Sequence, residues 1–245
     1  MLKKAIESIE GFTLDEGMFI PLEHSEDAVV SGVGAIFVRG EVSAKIKINF
    51  RETENCKVFI GHNVRGNITV KFHGDNSLLF IGNNCRLNQL QIKSFQNNDF
   101  IAVGNGVTTT AKNVWISGNG SGSAQPAIII GDDCMFAYDV VIRNSDAHPI
   151  YNYNTDEQVN KPKDIVHIEP HVWIGEQVSI LKSVTVGACS IIGLGSVVTK
   201  SAPRFSILNG VPAKAQIKKD IYWSRSDSDQ ARARAKYFVY RYSNL

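Results

Sequence analysis

The clearest candidate for a catalytic residue in this sequence is a histidine that lies where a regular repeat is interrupted. His148 stands in the segment Asp146-Ala-His-Pro-Ile150. A neutral imidazole takes up a proton near neutral pH, because its ordinary pKa is about 6.5. His148 is therefore a candidate general base. The alternative is a polar loop histidine with no chemical role.

Asp146 lies two residues before His148. On a strand, this separation places both side chains on one face, so the carboxylate would orient the imidazole. At a corner, the same aspartate would only end a turn. Both interpretations of Asp146 stay open at this point.

A period of six indicates the elements that position these residues. Aliphatic residues recur at Ile168, Ile174, Ile180, Val186, Ile192 and Val198, and two positions before the last five stand Val172, Val178, Val184, Ser190 and Ser196. This period fits neither a helix nor an ordinary strand. A hexapeptide repeat is typical of a β-helix, in which short walls stack and bury a continuous core.

An aliphatic-Gly pair, followed three residues after the Gly by Val, Cys or Ser, marks the same unit seven times. The pairs begin at Ile60, Ile81, Val103, Ile130, Ile174, Val186 and Ile192. If one triangular coil takes about 18 residues, the intervals of 21, 22 and 27 are single coils with short insertions. The interval of 44 is then two coils plus eight residues, which we place at 148–155. The predicted excursion therefore starts at His148.

These patterns predict three regions. Residues 1–55 form irregular opening coils, residues 56–213 form the β-helix with a polar loop at 117–126, and residues 214–245 form a helical tail. A capping box at Ser226–Asp229 is expected to start the tail helix. The aromatic and basic residues of the tail would either pack on the domain or a neighbouring subunit, or form a patch for a membrane surface or a polyanion.

Composition narrows the function classes. The chain has 245 residues, 43% of them hydrophobic, and a net charge of +2, so its overall field strongly favours neither a nucleic acid nor an acidic partner. We expect no membrane span, because no apolar run approaches about 18 residues, and no signal peptide, because residues 1–10 lack an apolar stretch. The four cysteines are too widely spaced for a metal motif and are expected to fill the core of a cytoplasmic protein.

Five segments together resemble the hexapeptide-repeat acyltransferases of left-handed β-helix fold. They are Asp146–Ile150, Lys161-Pro162, Val172-Trp-Ile-Gly175, Gly193–Lys200 and Gly210-Val-Pro-Ala-Lys214. The set is most similar to the maltose and galactoside O-acetyltransferases and to the bacterial capsule and lipopolysaccharide O-acetyltransferases, including those acting on sialic acid polymers. The resemblance implies an all-β, left-handed parallel β-helix with an inserted loop and a C-terminal helix. The period alone fixes the repetition and not the hand.

The resemblance also implies an activity. An acetyl group would pass from acetyl-CoA to a hydroxyl of a saccharide acceptor, a surface polysaccharide or its precursor. His148 matches the family's catalytic histidine, which acts in a ternary complex without an acyl-enzyme. Trp173 matches a tryptophan beside the thioester; otherwise it is a rim aromatic. The family forms homotrimers with sites between subunits, so an isolated chain would be inactive.

Residues for coenzyme A follow from the same resemblance. Lys200 and Lys214 match positions near the adenosine phosphates, and Lys218 is a weaker match. Gly193 and Gly195 lie in a matched segment and are expected to border the cofactor. Acetyl-CoA is the expected co-substrate and no metal is expected. The sugar acetyltransferases begin with a compact helical segment, whereas here about 125 residues precede the catalytic region. The identity of the acceptor therefore stays open.

Three other functions remain. In the first case, the acceptor would be an amino sugar that becomes N-acetylated. In a second case, His148, His167 and His171 would bind zinc, as in trimeric β-helices of the γ-carbonic anhydrase type. In a third case, the chain would be a non-catalytic β-helix subunit.

Overall fold

The computed structural model describes residues 2–22, 28–40, 42–118 and 127–244. Most of the predicted polar loop at 117–126 lies outside the described residues. In chain order the elements are α1 (Leu2–Ile6), a 3-10 turn (Glu16–Met18), β1 (Ile20–Pro21), β2 (Ala28–Ser31), β3 (Ala35–Val38), β4 (Val42–Asn49), β5 (Lys57–Ile60), β6 (Val64–Phe72), β7 (Leu78–Ile81), β8 (Arg86–Ser94), β9 (Phe100–Val103), β10 (Thr108–Thr109), β11 (Asn113–Ser117), β12 (Ala127–Ile130), β13 (Met135–Phe136), β14 (Val140–Arg143), β15 (Val166–Ile168), β16 (Trp173–Ile174), β17 (Ser179–Ile180), β18 (Thr185–Val186), β19 (Ile191–Ile192), β20 (Val197–Val198), β21 (Ser206–Gly210), β22 (Ala213–Ile217) and α2 (Asp229–Ser243).

The strands form three walls, and nearly all of them pair in parallel with the strand one coil later. The first wall is the sheet β1-β3-β5-β7-β9-β12-β15-β18. The second wall contains β10, β13, β16, β19 and β21, and the third contains β11, β14, β17 and β20. These two walls join at β8, which pairs with both β10 and β11. The protein is therefore a parallel β-helix, as the period of six predicts.

Columns of aliphatic side chains fill the interior. In the first wall, Ile60, Ile81, Val103, Ile130, Ile168 and Val186 lie in register, one per coil. All six are buried, as are the smaller residues two positions before each hexapeptide aliphatic. Each column removes apolar surface from water along the whole prism, which is the main stabilising contribution in such a fold.

The excursion is longer than predicted and lies within one coil. Ile168 pairs with Ile130 in the first wall, 38 residues later, whereas Ile174 pairs with Phe136 in the second wall. The predicted division of the 44-residue interval into two coils plus eight residues is therefore wrong. An aliphatic-Gly pair marks a corner but does not say which corner. The excursion comprises residues 144–165, between β14 and β15.

Regular coils also begin before residue 56. Strands β3 and β4 pair in register with β5 and β6. In these coils the second and third walls are one long strand, so buried Ile46 and Ile48 alternate with exposed lysines at period two instead of six. At the other end, β22 pairs antiparallel with β21, so the sheet continues past residue 213.

The N-terminal segment covers the outer face of the first wall. Phe12 and Phe19 pack on Phe80 and Phe59, in a cluster that includes Ile129. This second apolar layer explains why first-wall strands read as continuous hydrophobic runs, because both of their faces are buried. Among the described residues, neither helix is long and apolar enough to cross a bilayer.

One substitution tests the stacked core. Ile180→Ala should lower the free energy of unfolding by about 2–5 kcal/mol, because it leaves a cavity in a column that is fully buried. Urea denaturation followed by circular dichroism measures this change. The matched control is Ile217→Ala on β22, which is 55% exposed and should change stability by less than about 1 kcal/mol. Equal effects would contradict the core assignment.

Candidate active site

His148 lies exposed on the excursion, at the corner between the third and first walls. The side chain of Asn160 closes the loop behind it. Its Nδ2 donates to the carbonyl of His148 at 2.8 Å and to Oδ2 of Asp146 at 3.0 Å. Its Oδ1 accepts from the backbone N–H of Ile150 at 2.8 Å. The backbone on both sides of His148 is thereby held while its ring faces outward.

Asp146 fixes the loop and not the imidazole. Its carboxylate pairs with Lys182, which also donates to the carbonyl of Asn160 at 2.9 Å. Among the described residues, Asp146 makes no hydrogen bond to the ring of His148. The predicted orienting role is therefore not seen in the single chain. Lys182 belongs to the next coil, so the ion pair ties the excursion to the wall beneath it.

Buried hydrogen bonds anchor the base of the excursion. Asn144 donates to Oγ of Ser117 at 2.8 Å, and Ser117 donates to Oδ1 of Asp99 at 2.9 Å. Burial raises the pKa of Asp99 to about 6, against hydrogen bonds from Gln96, Ser94 and Ser117 that favour the carboxylate. The first residue of the excursion is therefore fixed inside the prism.

Trp173 lies on the outer face of the second wall. It is 39% exposed, while its neighbour Ile174 points into the core. Its ring centroid lies 6.4 Å from that of Trp223 in the tail. In a three-sided prism, the corner between the third and first walls is opposite the second wall. One chain therefore does not bring Trp173 and His148 together.

Two of the three predicted lysines share a cavity. Lys200 and Lys214 line a space of about 350 Å³ together with Leu208 and Pro212. Lys218 lies elsewhere, beyond the far end of β22, where its backbone N–H donates to the carbonyl of Phe205 at 2.7 Å. The structure therefore gives no support to the grouping of Lys218 with the other two, because the extended strand carries it away.

Packing explains one of the two predicted glycines. A Cβ on Gly193 would lie 1.9 Å from the side-chain oxygen of Asn209, so no other residue fits without a shift. Gly195 has a φ of +69° in open space. Its requirement is conformational, since the left-handed region favours glycine. Both glycines are explained without a cofactor.

The tail docks beside Trp173 through His171. The imidazole stacks between the rings of Trp223 and Phe238, with centroid distances of 4.1 and 5.0 Å. Its Nδ1 lies 2.7 Å from Oδ2 of Asp133, and the indole N–H of Trp223 donates to its carbonyl at 3.0 Å. The tail packs on the domain, as predicted. Helix α2 begins after the N-cap Ser228, whose side chain accepts from the backbone N–H of Ala231, so the predicted capping box at Ser226–Asp229 is not the cap of this helix.

Asp133 is the charged centre of this contact. Its buried carboxylate accepts from Nε of Arg225 and Nε of Arg234, each at 3.1 Å. Burial alone would raise the pKa of Asp133, but the hydrogen bond with His171 and the two guanidinium groups outweigh it and hold the pKa below its ordinary value. The preceding residue, Asp132, accepts from the backbone N–H of Glu10 at 3.0 Å. Both ends of the chain therefore meet at one turn.

The three histidines considered for zinc lie in different surroundings. His171 is enclosed by the tail. His167 faces α1, with Nε2 3.2 Å from Oγ of Ser8, and burial lowers its pKa to about 4. In the part of the chain that the structure describes, no group of three His, Cys, Asp or Glu side chains is arranged to hold a metal ion.

Asn160, Asp133 and Trp223 were not predicted from the sequence. None of them has a periodic signal, because each acts through a contact between segments far apart in sequence. Asn160 directly precedes the Lys161-Pro162 segment, which was the only available indication. The aromatic and basic residues of the tail helix indicated packing in general but not its partner.

The tail contact gives a prediction. Asp133→Asn should lower the free energy of unfolding by at least about 2 kcal/mol and speed tryptic cleavage of the tail, because it removes the charge that faces two arginines. Since the pKa of Asp133 is lowered in the folded state, its contribution is complete above the ordinary value near 3.8 and is lost as the pH falls below it. Thermal unfolding measures the effect. Exposed Asp220→Asn is the control, and equal stability of the two variants would contradict the assignment.

Known proteins share part of this sequence. No protein-family profile matches the sequence. A polysialic acid O-acetyltransferase of Escherichia coli O1:K1 / APEC is 40% identical over 100 residues, which cover 41% of this chain and 32% of that protein. A polysialic acid O-acetyltransferase of Neisseria meningitidis is 34% identical over 124 residues, 44% of this chain and 57% of that one. The match thus spans about a third to just over half of the length of these relatives.

A solved structure resembles most of the chain. The polySia-specific acetyltransferase NeuO superposes with a TM-score of 0.71 at 29% identity, over 91% of this chain and 94% of that one. The predicted fold is confirmed, including the left hand of the coil and the C-terminal helix. The chain is therefore similar in sequence and in fold to polysialic acid O-acetyltransferases, as the resemblance to hexapeptide-repeat O-acetyltransferases implies.

Proposed function

We propose that this protein transfers an acetyl group from acetyl-CoA to a hydroxyl of an acidic saccharide. The observation that carries this proposal is that His148 is exposed at a corner of the β-helix, where Asn160 holds its backbone. Lys182 and Lys200 lie at the same corner. The homology to polysialic acid O-acetyltransferases supports the acyl group and the acceptor class. All four cysteines are buried and free, which fits a reducing, cytoplasmic setting.

His148 supplies the proton transfer that the reaction needs. The imidazole accepts the proton of the acceptor hydroxyl as the oxygen attacks the thioester carbonyl. The acetyl group then leaves sulfur for oxygen, and the imidazolium returns the proton to the coenzyme A thiolate. A positioned base of this kind contributes typically about 10²- to 10⁴-fold. Asn160 and Asp146 position the loop and take no part in the proton transfer.

The cationic cavity suits the phosphates of coenzyme A. Lys200 and Lys214 line it, and Lys200 follows β20, two strands along the third wall from β14. Because neighbouring strands are about 4.8 Å apart, the cavity begins about 10 Å along the prism from the base of the excursion. A cofactor lying along this corner would place its phosphates at the lysines and its thioester toward His148.

His148 has a direct test. His148→Ala should stay folded but lose at least about 10²-fold in thiol release from acetyl-CoA with an acidic oligosaccharide acceptor. The control is His62→Ala, an exposed histidine at a different corner. A panel of neutral sugars, amino sugars and nucleotide sugars, with product mass and lability to hydroxylamine, distinguishes ester from amide products. Unchanged turnover in His148→Ala would end the assignment.

We further propose that the site is completed between the subunits of a homotrimer. The placement of His148 and Trp173 on different sides of one chain supports this. Mixing inactive His148→Ala chains with Trp173→Ala chains, after dissociation and reassembly, should restore about a quarter of wild-type activity, because a quarter of the interfaces then pair an intact His148 with an intact Trp173. Thiol release measures the recovery. Mixtures no more active than their components would place both residues in one subunit's site.

A further inference from the structure

The outer face of the third wall carries basic side chains in its N-terminal half, and this set of basic side chains extends to Arg143. We call this set the basic face: Lys45, Lys47, Lys71, Lys93 and Arg143. The residues between them, such as Ile46, Val70, Ile92 and Ile142, are buried, so the basic side chains point outward. In the described strands of this 14-stranded sheet there is no Asp or Glu.

Part of the basic face forms a row at right angles to the strands. The register places Asn49, Lys71, Lys93, Ile116 and Arg143 side by side. At about 4.8 Å for each strand, Lys71 and Arg143 are about 14 Å apart along the prism axis. Arg143 is the last residue of β14, directly before the excursion that carries His148. The row therefore leads along the axis to the candidate general base.

Among the residues that the structure describes, these cations have no anionic partner. Within the described residues, no member of the basic face takes part in an ion pair. The buried Nε of Arg143 has no hydrogen-bond acceptor there. A buried guanidinium N–H without an acceptor is costly, and a bound anion would satisfy it. The face is thus arranged for a negatively charged ligand.

A groove of about 720 Å³ beside the row adds an aromatic surface. Arg51 and His73 line it, and the ring of His73 stacks on Phe95 with a centroid distance of 4.3 Å. The pKa of His73 is lowered, first by burial and then by the charges of Arg51, Lys71 and Lys93, so the local field is positive. Glu52 and Asp75 also line the groove, and Asp75 accepts the backbone N–H of Glu54 at 2.9 Å. Stacked rings offer an apolar surface to a sugar ring.

We propose that the basic face and this groove bind the acidic saccharide chain at a distance from the reacting hydroxyl and direct it along the prism toward His148. This inference rests on the proposed function for the identity of the acceptor. A polymer with one carboxylate per sugar unit contacts several cations at once. Each exposed contact is weak, so binding should grow with chain length and fall with added salt.

Binding can be measured without catalysis. In the His148→Ala background, labelled polysialic acid chains of increasing length are titrated by fluorescence anisotropy. Lys71→Gln/Lys93→Gln should weaken binding of long chains about 3- to 10-fold and flatten the salt dependence. The matched control, Lys112→Gln/Lys219→Gln, removes two exposed charges elsewhere and should bind like the parent. Unchanged binding in the first double variant, or equal binding of neutral dextran by the parent, would overturn the inference.

Turnover separates this inference from the proposed function. In chains with His148 intact, Lys71→Gln/Lys93→Gln should raise the KM for long chains and leave the kcat, the KM for acetyl-CoA and the rate with short oligomers unchanged. If both double variants acetylate long chains with equal efficiency, the basic face does not bind the acceptor, whereas the proposed acetyltransferase function is unaffected. Charge-dependent binding without any acetyl transfer in the parent would overturn the function while the basic face stands.

Discussion

Coil-to-coil stacking of inward aliphatic residues is the constraint on which the rest of this molecule depends. Because Ile130 lies on Ile168 in register, 20 residues beyond a regular coil must leave the prism at one corner. That excursion carries His148 and is held to the neighbouring walls through Lys182 and Ser117. The candidate general base therefore lies on a loop attached to the β-helix and not on one of its strands.

Two buried carboxylates connect the frame to its appendages. Asp99 reaches the excursion through Ser117 and Asn144, and Asp133 holds the tail through Arg225. Each of these aspartates lies in the segment between two successive strands, at a corner of the prism. Buried carboxylates are stable only when fully hydrogen-bonded or paired, so both contacts require one specific placement of the segment they hold.

Much of the fold could be predicted from the sequence because it is local. The period of six from Ile168 to Val198 identified the buried columns, and Ser228 was part of a recognisable helix start. The prediction failed where two walls fuse into β4, since alternation of Lys45, Ile46 and Lys47 has the period of an ordinary strand. The separation of Lys218 from Lys200 and Lys214 could not be predicted, because the strand reversal at β22 leaves no trace in the repeat. Asn160 and Asp133 could not be predicted, because their partners are distant in sequence.

Adjacent aspartates receive the two ends of the chain: Asp132 binds the backbone at Glu10, and Asp133 binds Arg225 and Arg234. A solenoid with free ends loses its terminal coils one at a time, since each coil contacts only its neighbours. Here, long-range tethers join both termini to a central turn and close the solenoid into two large loops. We therefore expect fraying at either end to be coupled to the middle of the molecule, so that the prism unfolds more like a globular domain than like a stack of repeats.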